Sequence, residues 1–355
     1  MFDLAVFTLS MVLLAVTVFA RIPLHNWWLR ACEFPRVQIA SVAVITALLS
    51  LITEPPWQLY SLAASLLVVV IQLWRIFPYT PFGPLELKNA EPGNEDRCIK
   101  LLVSNVLTPN RNAQGLIKQI LEHQPDIVLT LESDDWWGEQ LQNALSDTWP
   151  EVVSIPLDNL YGMHLFSRLE LQGLEVKRLI QDDIPSIHCW VILRSGERVR
   201  LHALHPRPPA PQESDTSLWR DAELLLVGKE IRDHAGPTLL IGDLNDVAWS
   251  RTTRMFTRVS GMLDPRRGRG MFSTFHAEHR LLRWPLDHIF VTEHFTLLRM
   301  ERLQAFGSDH FPILATLCHR PSRSDENDKP EPDGGDREDA KETINAARTA
   351  ARASV

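Results

Sequence analysis

A chain of 355 residues, 45% of them hydrophobic and 23% charged, has room for more than one structural unit. Its four cysteines, Cys32, Cys98, Cys189 and Cys318, lie far apart, which excludes a CxxC metal site and a dense disulfide framework and is compatible with a reducing compartment. The net charge of −8 does not exclude a phosphate-rich substrate, because many acids fall beyond residue 320 and local charge decides such contacts.

Three apolar stretches open the chain, at about residues 4–20, 37–53 and 57–77. A helix rises about 1.5 Å per residue and the hydrocarbon core is about 30 Å thick, so roughly 17–25 apolar residues span it. Each stretch is at or near that length and nearly free of charge. Trp27, Trp28, Trp57, Trp74 and Tyr79 sit at the edges, where amphipathic rings favour the headgroup zone. Glu54-Pro55-Pro56 fits a tight turn between the second and third stretches. Val18-Phe19-Ala20 could pass for a cleavage site, but the segment before it carries Asp3 and no Lys or Arg, so the first stretch reads as an uncleaved span. Residues 1–79 are therefore expected to form three transmembrane helices, in the manner of a bacterial inner-membrane protein. Arg21, Arg30 and Arg36 lie between the first two stretches, and Arg75 and Lys88 follow the third. Positive-inside reasoning puts the remainder in the cytoplasm, whereas cleavage of the first stretch would deliver it outside.

Residues 80–96 are rich in Pro, Gly, Asn and Glu and read as a linker. From residue 97 the texture changes. Short apolar runs at 99–103, 127–131, 199–204, 238–241, 289–291 and 313–317 alternate with amphipathic stretches such as 113–123 and 217–234. That pattern predicts a mixed α/β domain over 97–320, sheets inside and helices outside. Residues 321–355 are polar and charged and are expected to be a disordered tail, with 340–351 the one candidate helix.

The polar residues with chemical potential fall at strand ends. Asn105 and Glu132 end the first two apolar runs of the domain, and His205 follows the third just before Pro206. Asp243 and Asn245 follow the fourth, Asp287-His288 open the fifth, and Ser308-Asp309-His310 stand just before the sixth. Strand ends are where an open α/β scaffold places its site. Phosphodiester hydrolysis wants a hard cation on the phosphoryl oxygens, an activated water and a proton handler. Carboxylates suit magnesium or manganese, and an oriented imidazole suits proton transfer near neutral pH. Any one of these groups alone is an ordinary turn, cap or surface pair; the ordered set is what carries the reading.

That set, Asn105, Glu132, His205-Pro206, Gly242-Asp243-Leu244-Asn245, Asp287-His288-Ile289 and Ser308-Asp309-His310, resembles the endonuclease/exonuclease/phosphatase superfamily, over about residues 97–320. The segment from Gly162 to Arg168 resembles the family's strand ending in Ser-Arg. The resemblance implies a two-sheet α/β sandwich of the deoxyribonuclease-I-like type, here preceded by transmembrane helices. It implies that Glu132 binds Mg2+ or Mn2+ with Asn105 and Asp309 nearby. Asp243 would orient or deprotonate water, and Asn245, with Asn105, would contact the substrate. His310, its ring held by Asp287, would stabilise the transition state or act as base, and His205 would assist the leaving oxygen.

The substrate is less defined. Residues 251–283 hold eight arginines against two acids, and Arg266, Arg267 and Arg269 are expected to meet the phosphates of a polyanion or of an anionic lipid headgroup. The leading expectation is a membrane-anchored, nuclease-like phosphodiesterase. A phospholipid or inositol-phosphate phosphatase or phosphodiesterase is the second, and a membrane scaffold whose domain only binds is the third. His188, His202, His276, His279 and His319 lack zinc-ligand spacing, and His202 reads as a strand residue.

Overall fold

The computed structural model describes residues 1–91 and 93–353. Four helices come first: α1 (Phe2–Phe19), the short α2 (Trp27–Ala31), α3 (Arg36–Ser50) and α4 (Trp57–Ile76). There follow β1 (Cys98–Asn105), α5 (Ala113–His123), β2 (Ile127–Leu131), α6 (Asp135–Leu145), β3 (Glu151–Ile155) and β4 (Met163–Ser167). The chain continues through β5 (Leu171–Lys177), β6 (Ser186–Ile192), β7 (Arg198–Ala203), α7 (Leu218–His234), β8 (Thr238–Asp243) and α8 (Arg251–Ser260). It ends with β9 (Asp287–Val291), β10 (Phe295–Arg302), β11 (Ile313–His319) and α9 (Asp336–Ala353).

The strands form two sheets, ordered β10-β11-β1-β2-β4-β3 and β5-β6-β7-β8-β9. Within them β1 and β2 run parallel, as do β7 and β8, and the other pairs are antiparallel. The central strands β1, β2 and β8 are largely buried on both faces, which is why they read as short apolar runs with few polar residues. In β1, Ile99, Leu101 and Val103 face the inter-sheet core with Leu239, Ile241 and Ile289 of the other sheet. Leu102 points the other way, into the layer under α5 and α6 with Leu116, Ile120 and Trp137. Leu224, Val227 and Phe256 of α7 and α8 cover the outer face of the second sheet. This is the expected two-sheet α/β sandwich.

The helices begin where local chemistry allows. Asn112, Asp134 and Ser250 each accept a backbone N–H of the following turn, satisfying a donor left over at a helix start.

At the N-terminus all three apolar stretches are helical. Helix α1, with 18 residues, and the 23-residue run Trp57–Tyr79 are long and apolar enough to cross a membrane. Helix α3 has 15 residues and at about 1.5 Å each falls short of a ~30 Å core. It packs against the other two through Leu13, Ile39, Ala43 and Val68. A polar chain runs through the bundle: Arg36 Nη1 donates to Gln72 Oε1 and Gln72 Nε2 to Thr17 Oγ1, both at 2.9 Å.

Three expectations need correction. The segment read as a linker is docked on the domain: Leu87 is buried in the core, Ala90 N donates to Leu297 O at 2.7 Å, and Glu86 pairs with Arg267. Of the residues read as a disordered tail, 336–353 form α9, because Ala340, Ile344 and Ala347 make an apolar stripe at helical spacing. Ala340 and Ile344 pack on Leu225, Met255 and Val259, while Arg258 and Arg251 pair with Asp336 and Asp339. The cysteines, read as compatible with a reducing compartment, include one disulfide, Cys98–Cys318. The two are register partners on adjacent strands, β1 and β11, which 220 residues of sequence separation conceals.

Candidate active site

Strand direction brings the polar groups together. Asn105 is the last residue of β1, and Glu132 follows β2, its parallel neighbour. Strand β11 is antiparallel to β1, so His310, just before its start, arrives at the same end. In the second sheet Asp243, the last residue of β8, is the register partner of Asp287, the first of β9. His205 follows β7 there. One end of the sandwich thus collects side chains from both sheets.

The geometry is close. Asn105 Nδ2 donates to Glu132 Oε1 at 2.7 Å and lies 3.2 Å from Asp243 Oδ2, tying the two sheets together. His310 Nδ1 is 2.7 Å from Asp287 Oδ2, and its Nε2 is 3.6 Å from Asp243 Oδ2. His205 Nε2 approaches the same Asp243 oxygen at 4.0 Å. Ser308 Oγ donates to Asn105 O at 2.8 Å and accepts from His310 N, which sets the turn that presents the imidazole. Asp309 sits beside them with its backbone carbonyl accepting from Ala277 N at 2.6 Å.

Backbone constraints accompany this packing. Gly242 has φ +143°, and a Cβ there would stand 1.9 Å from the Leu204 carbonyl oxygen, so the close approach of β7 and β8 requires glycine. Glu132 and Asn245 both hold left-handed φ, 55° and 51°. Such conformations cost about 1–3 kcal/mol each and gather at functional sites. Asn245 N donates to Asp243 Oδ1 at 2.9 Å, while Nδ2 donates to Pro206 O at 3.0 Å. Its amide is therefore shared with the loop that carries His205.

Burial and charge give these groups distinct states. Burial depresses His310, but Asp287 and Asp243 outweigh it and hold the imidazole up to about 10. His205 has only the more distant Asp243 to offset burial and is lowered to about 4. Burial, helped by Asp243 and Asp309, raises the Glu132 carboxyl to about 7, against its bond from Asn105 and the charge of His310. Asp287 is raised by burial, and its Oδ1 has no hydrogen-bond partner. The site therefore holds a charged histidine, a neutral one and crowded carboxylates.

The three arginines expected to meet substrate are engaged elsewhere. Arg266 is fully buried, bonded to Asp264, His288 Nδ1 and the Asp287 carbonyl, so it braces the start of β9 from behind. Arg267 pairs with Glu86, and Arg269 donates to the carbonyl of Leu87 and to Asn89. Their partners lie about 180 residues away in sequence.

Several neighbours escaped the sequence reading. Tyr161, just before β4, has its ring 5.4 Å from His205 and donates to Glu213 Oε2 at 2.8 Å. Phe275 lies 5.0 Å from the His310 ring. Arg220 donates from Nη1 to Asn245 O at 2.7 Å and pairs with Asp221 and Asp246. Asp221 Oδ2 lies 3.0 Å from His25 Nδ1, in the connection between α1 and α2. Strand antiparallelism could have flagged Tyr161; the others are products of tertiary packing.

The sequence model of the Endonuclease/Exonuclease/phosphatase family matches residues 102–310. The chain belongs to that family. Membership places it among hydrolases of phosphoric esters. No curated protein matches the sequence. Solved structures do match. Humanized TDP2 of D. rerio is 17% identical with a TM-score of 0.52, over 62% of this chain and 99% of that one. The human Nocturnin catalytic domain with bound sulfate gives 17% and 0.52, over 63% and 95%. Mannosyl-6-phosphatase Bt3783 of Bacteroides thetaiotaomicron gives 17% and 0.50, over 62% and 99%. At such identities these likenesses establish the fold.

Proposed function

We propose that this chain is a membrane-anchored, divalent-metal-dependent phosphodiesterase working at the strand-end cluster. The observation that carries the reading is His310, standing between Asp287 at 2.7 Å and Asp243 at 3.6 Å, with neutral His205 on the other side of the same Asp243 oxygen. Such a pair of unlike imidazoles around one carboxylate suits proton exchange at two ester oxygens.

The donor set fits a hard cation. Glu132 with Asn105 and Asp309 offers oxygen ligands of the kind magnesium and manganese prefer. Burial that lifts the Glu132 carboxyl to about 7 describes a group that would regain its charge beside a cation. The ion would supply a Lewis acid for the phosphoryl oxygen. The chain supplies the rest. Asp243 accepts a hydrogen bond from water and aligns it. His310 donates from Nε2 toward the phosphate as charge develops there. His205, neutral, exchanges the proton at an ester oxygen, and the Asn245 turn presents its remaining amide hydrogen to the substrate.

Membrane anchoring rests on α1 and the Trp57–Tyr79 run. In this reading the domain faces an oxidising compartment, because Cys98 and Cys318 are bonded. The arginines that argued for the cytoplasm count for less, since Arg30 and Arg36 are buried near Glu33. A reporter enzyme active only outside the cytoplasm, fused after residue 353, should be active; activity confined to a cytoplasmic reporter contradicts this orientation.

The hydrolase itself is tested with the full chain in detergent and a chromogenic phosphodiester. Turnover should need Mg2+ or Mn2+, stop with EDTA, and fall at least ~100-fold in Glu132→Ala. Turnover indifferent to both treatments removes the metal from the reading.

A further inference from the structure

We infer that the hairpin loop beside the active site, with Leu281 and Leu282 at its tip, rests on the bilayer surface, and that the site acts on the phosphodiester headgroup of a lipid held in that bilayer. This names the substrate class of the phosphodiesterase proposed above and rests on that reading.

The loop is a small hairpin. Phe275 and Trp284 form an antiparallel bridge, and His276 N donates to Leu282 O at 3.0 Å. At its tip Leu281 is 83% exposed and Leu282 48%. Two adjacent exposed leucines on an ordered tip leave apolar area facing outward, which a bilayer would cover. Arg280, exposed beside them, has no ion-pair partner among the described residues and suits a lipid phosphate at the headgroup level.

The position of the tip says what covers it. Gln38 Nε2, in the first turn of α3, donates to the Leu281 carbonyl at 2.6 Å. The tip is therefore level with the domain-side end of the apolar helix bundle. Around the same end stand exposed Trp28, Trp74 and Phe77, the ring types that settle at the membrane interface. The leucines continue that collar on the catalytic domain.

The loop also touches the chemistry. Phe275 lies 5.0 Å from the His310 ring and stacks on Trp284 at 6.1 Å, and Trp284 meets Phe34, two residues before α3, at 5.8 Å. Three ring contacts thus join the proposed catalytic histidine to the start of a bundle helix. On the other flank, His25 reaches the Asn245 carbonyl through Asp221 and Arg220. Both walls of the site are built against the anchor, so a phosphate at headgroup depth lies within reach, and the bilayer supplies it at high local concentration.

The chemistry balances with water alone: its oxygen bonds to phosphorus, the ester P–O bond breaks, and a proton passes to the leaving oxygen. A lipid-held diester and a free one share that chemistry, so the test separates them. The full chain is reconstituted in vesicles of phosphatidylethanolamine and phosphatidylglycerol, with metal. Wild type and the double variant Leu281→Asp/Leu282→Asp are compared on vesicle lipid, on bis(p-nitrophenyl) phosphate and on a single-stranded oligonucleotide.

The inference expects lipid cleavage to fall at least ~10-fold in the variant while turnover of the chromogenic diester stays within about twofold, which also shows the variant folded. Equal lipid cleavage by both proteins overturns the role of the leucines. Turnover of the soluble diester or the oligonucleotide without lipid cleavage overturns the substrate class and leaves the phosphodiesterase standing. No turnover of any of the three overturns the phosphodiesterase and this inference with it.

Discussion

His188 and His202 pair on the outer face of the second sheet, their Nδ1 atoms 2.6 Å apart. His205 and His310 flank Asp243 at the end of the same sandwich. All four rings are buried. In the first pair burial depresses both, His188 to about 3, with the cations Lys177 and Arg200 adding to it. In the second, His310 has two carboxylates in contact and is pushed up to about 10. Burial alone makes a histidine an inert polar filler, whereas burial beside carboxylates makes it a charged donor. That is why a cluster of histidines is not evidence of a site until its acids are placed.

The largest expected effect breaks the comparison at its acid. Asp287→Asn removes the charge that holds His310 protonated and oriented, and kcat/KM for a phosphodiester should fall by about 10²–10⁴. His202→Gln should instead leave turnover within about threefold and cost stability by roughly 1–3 kcal/mol in urea unfolding. Equal losses of activity in the two variants would erase the distinction between the pairs.

A chain shortened to residues 80–355 sharpens the comparison on another side. It keeps both histidine pairs but loses the anchor segment that braces only one of them. His25 holds Asp221, Trp249 Nε1 donates to Glu33 O at 2.9 Å, and Tyr79 donates to Ala248 O at 2.6 Å. Loss of these contacts should loosen the Asn245 turn and lower kcat by about tenfold, since small misplacements of reacting groups are costly. A truncated domain as active as the full chain shows that the docked anchor does not position the site.

The smallest effect is a slope of stability with pH. His164, His188 and His205 are depressed by burial to about 4, 3 and 4. The unfolded chain binds protons at these residues from about pH 6.5 downward, while the folded chain does not. Their contribution is therefore full above about pH 6.5 and is lost as pH falls toward the folded values. Buried Glu86, Glu132 and Glu223, raised to about 7, 7 and 8, act with the opposite sign over the same range, so the test is a difference. In thermal melts from pH 7.5 to 4.5 the midpoint of His188→Gln should rise relative to wild type as pH falls; a difference that does not change with pH contradicts the neutral buried state of His188.

How much of this was legible in the sequence depends on whether the partners were local. Helix α5 was expected at 113–123 and is found there, because its apolar spacing and Asn112 cap are local signals. The strand-end cluster was legible because a buried strand announces itself as an apolar run and the residue that ends it is then fixed. Strand β5 was not, since most of its residues are exposed and no apolar run marks it. Arg266, Arg267 and Arg269 looked like free cations because Glu86, Leu87 and Asn89, which engage the last two, enter from a segment that reads as a linker. The tail helix was underestimated because its stripe of Ala340, Ile344 and Ala347 is weak until α7 and α8 are there to cover it.

The central claim is that His310, charged between Asp287 and Asp243, works with a cation near Glu132 to hydrolyse a phosphodiester. The most direct measurement is kcat/KM of the full chain for one diester across Mg2+ concentrations, for wild type, His310→Gln and Glu132→Gln. The account predicts saturable activation by Mg2+ in wild type, a loss of at least ~100-fold at saturating metal in His310→Gln, and in Glu132→Gln a weakened metal requirement curve shifted to higher concentration. Wild-type turnover that neither rises with Mg2+ nor depends on His310 would contradict it.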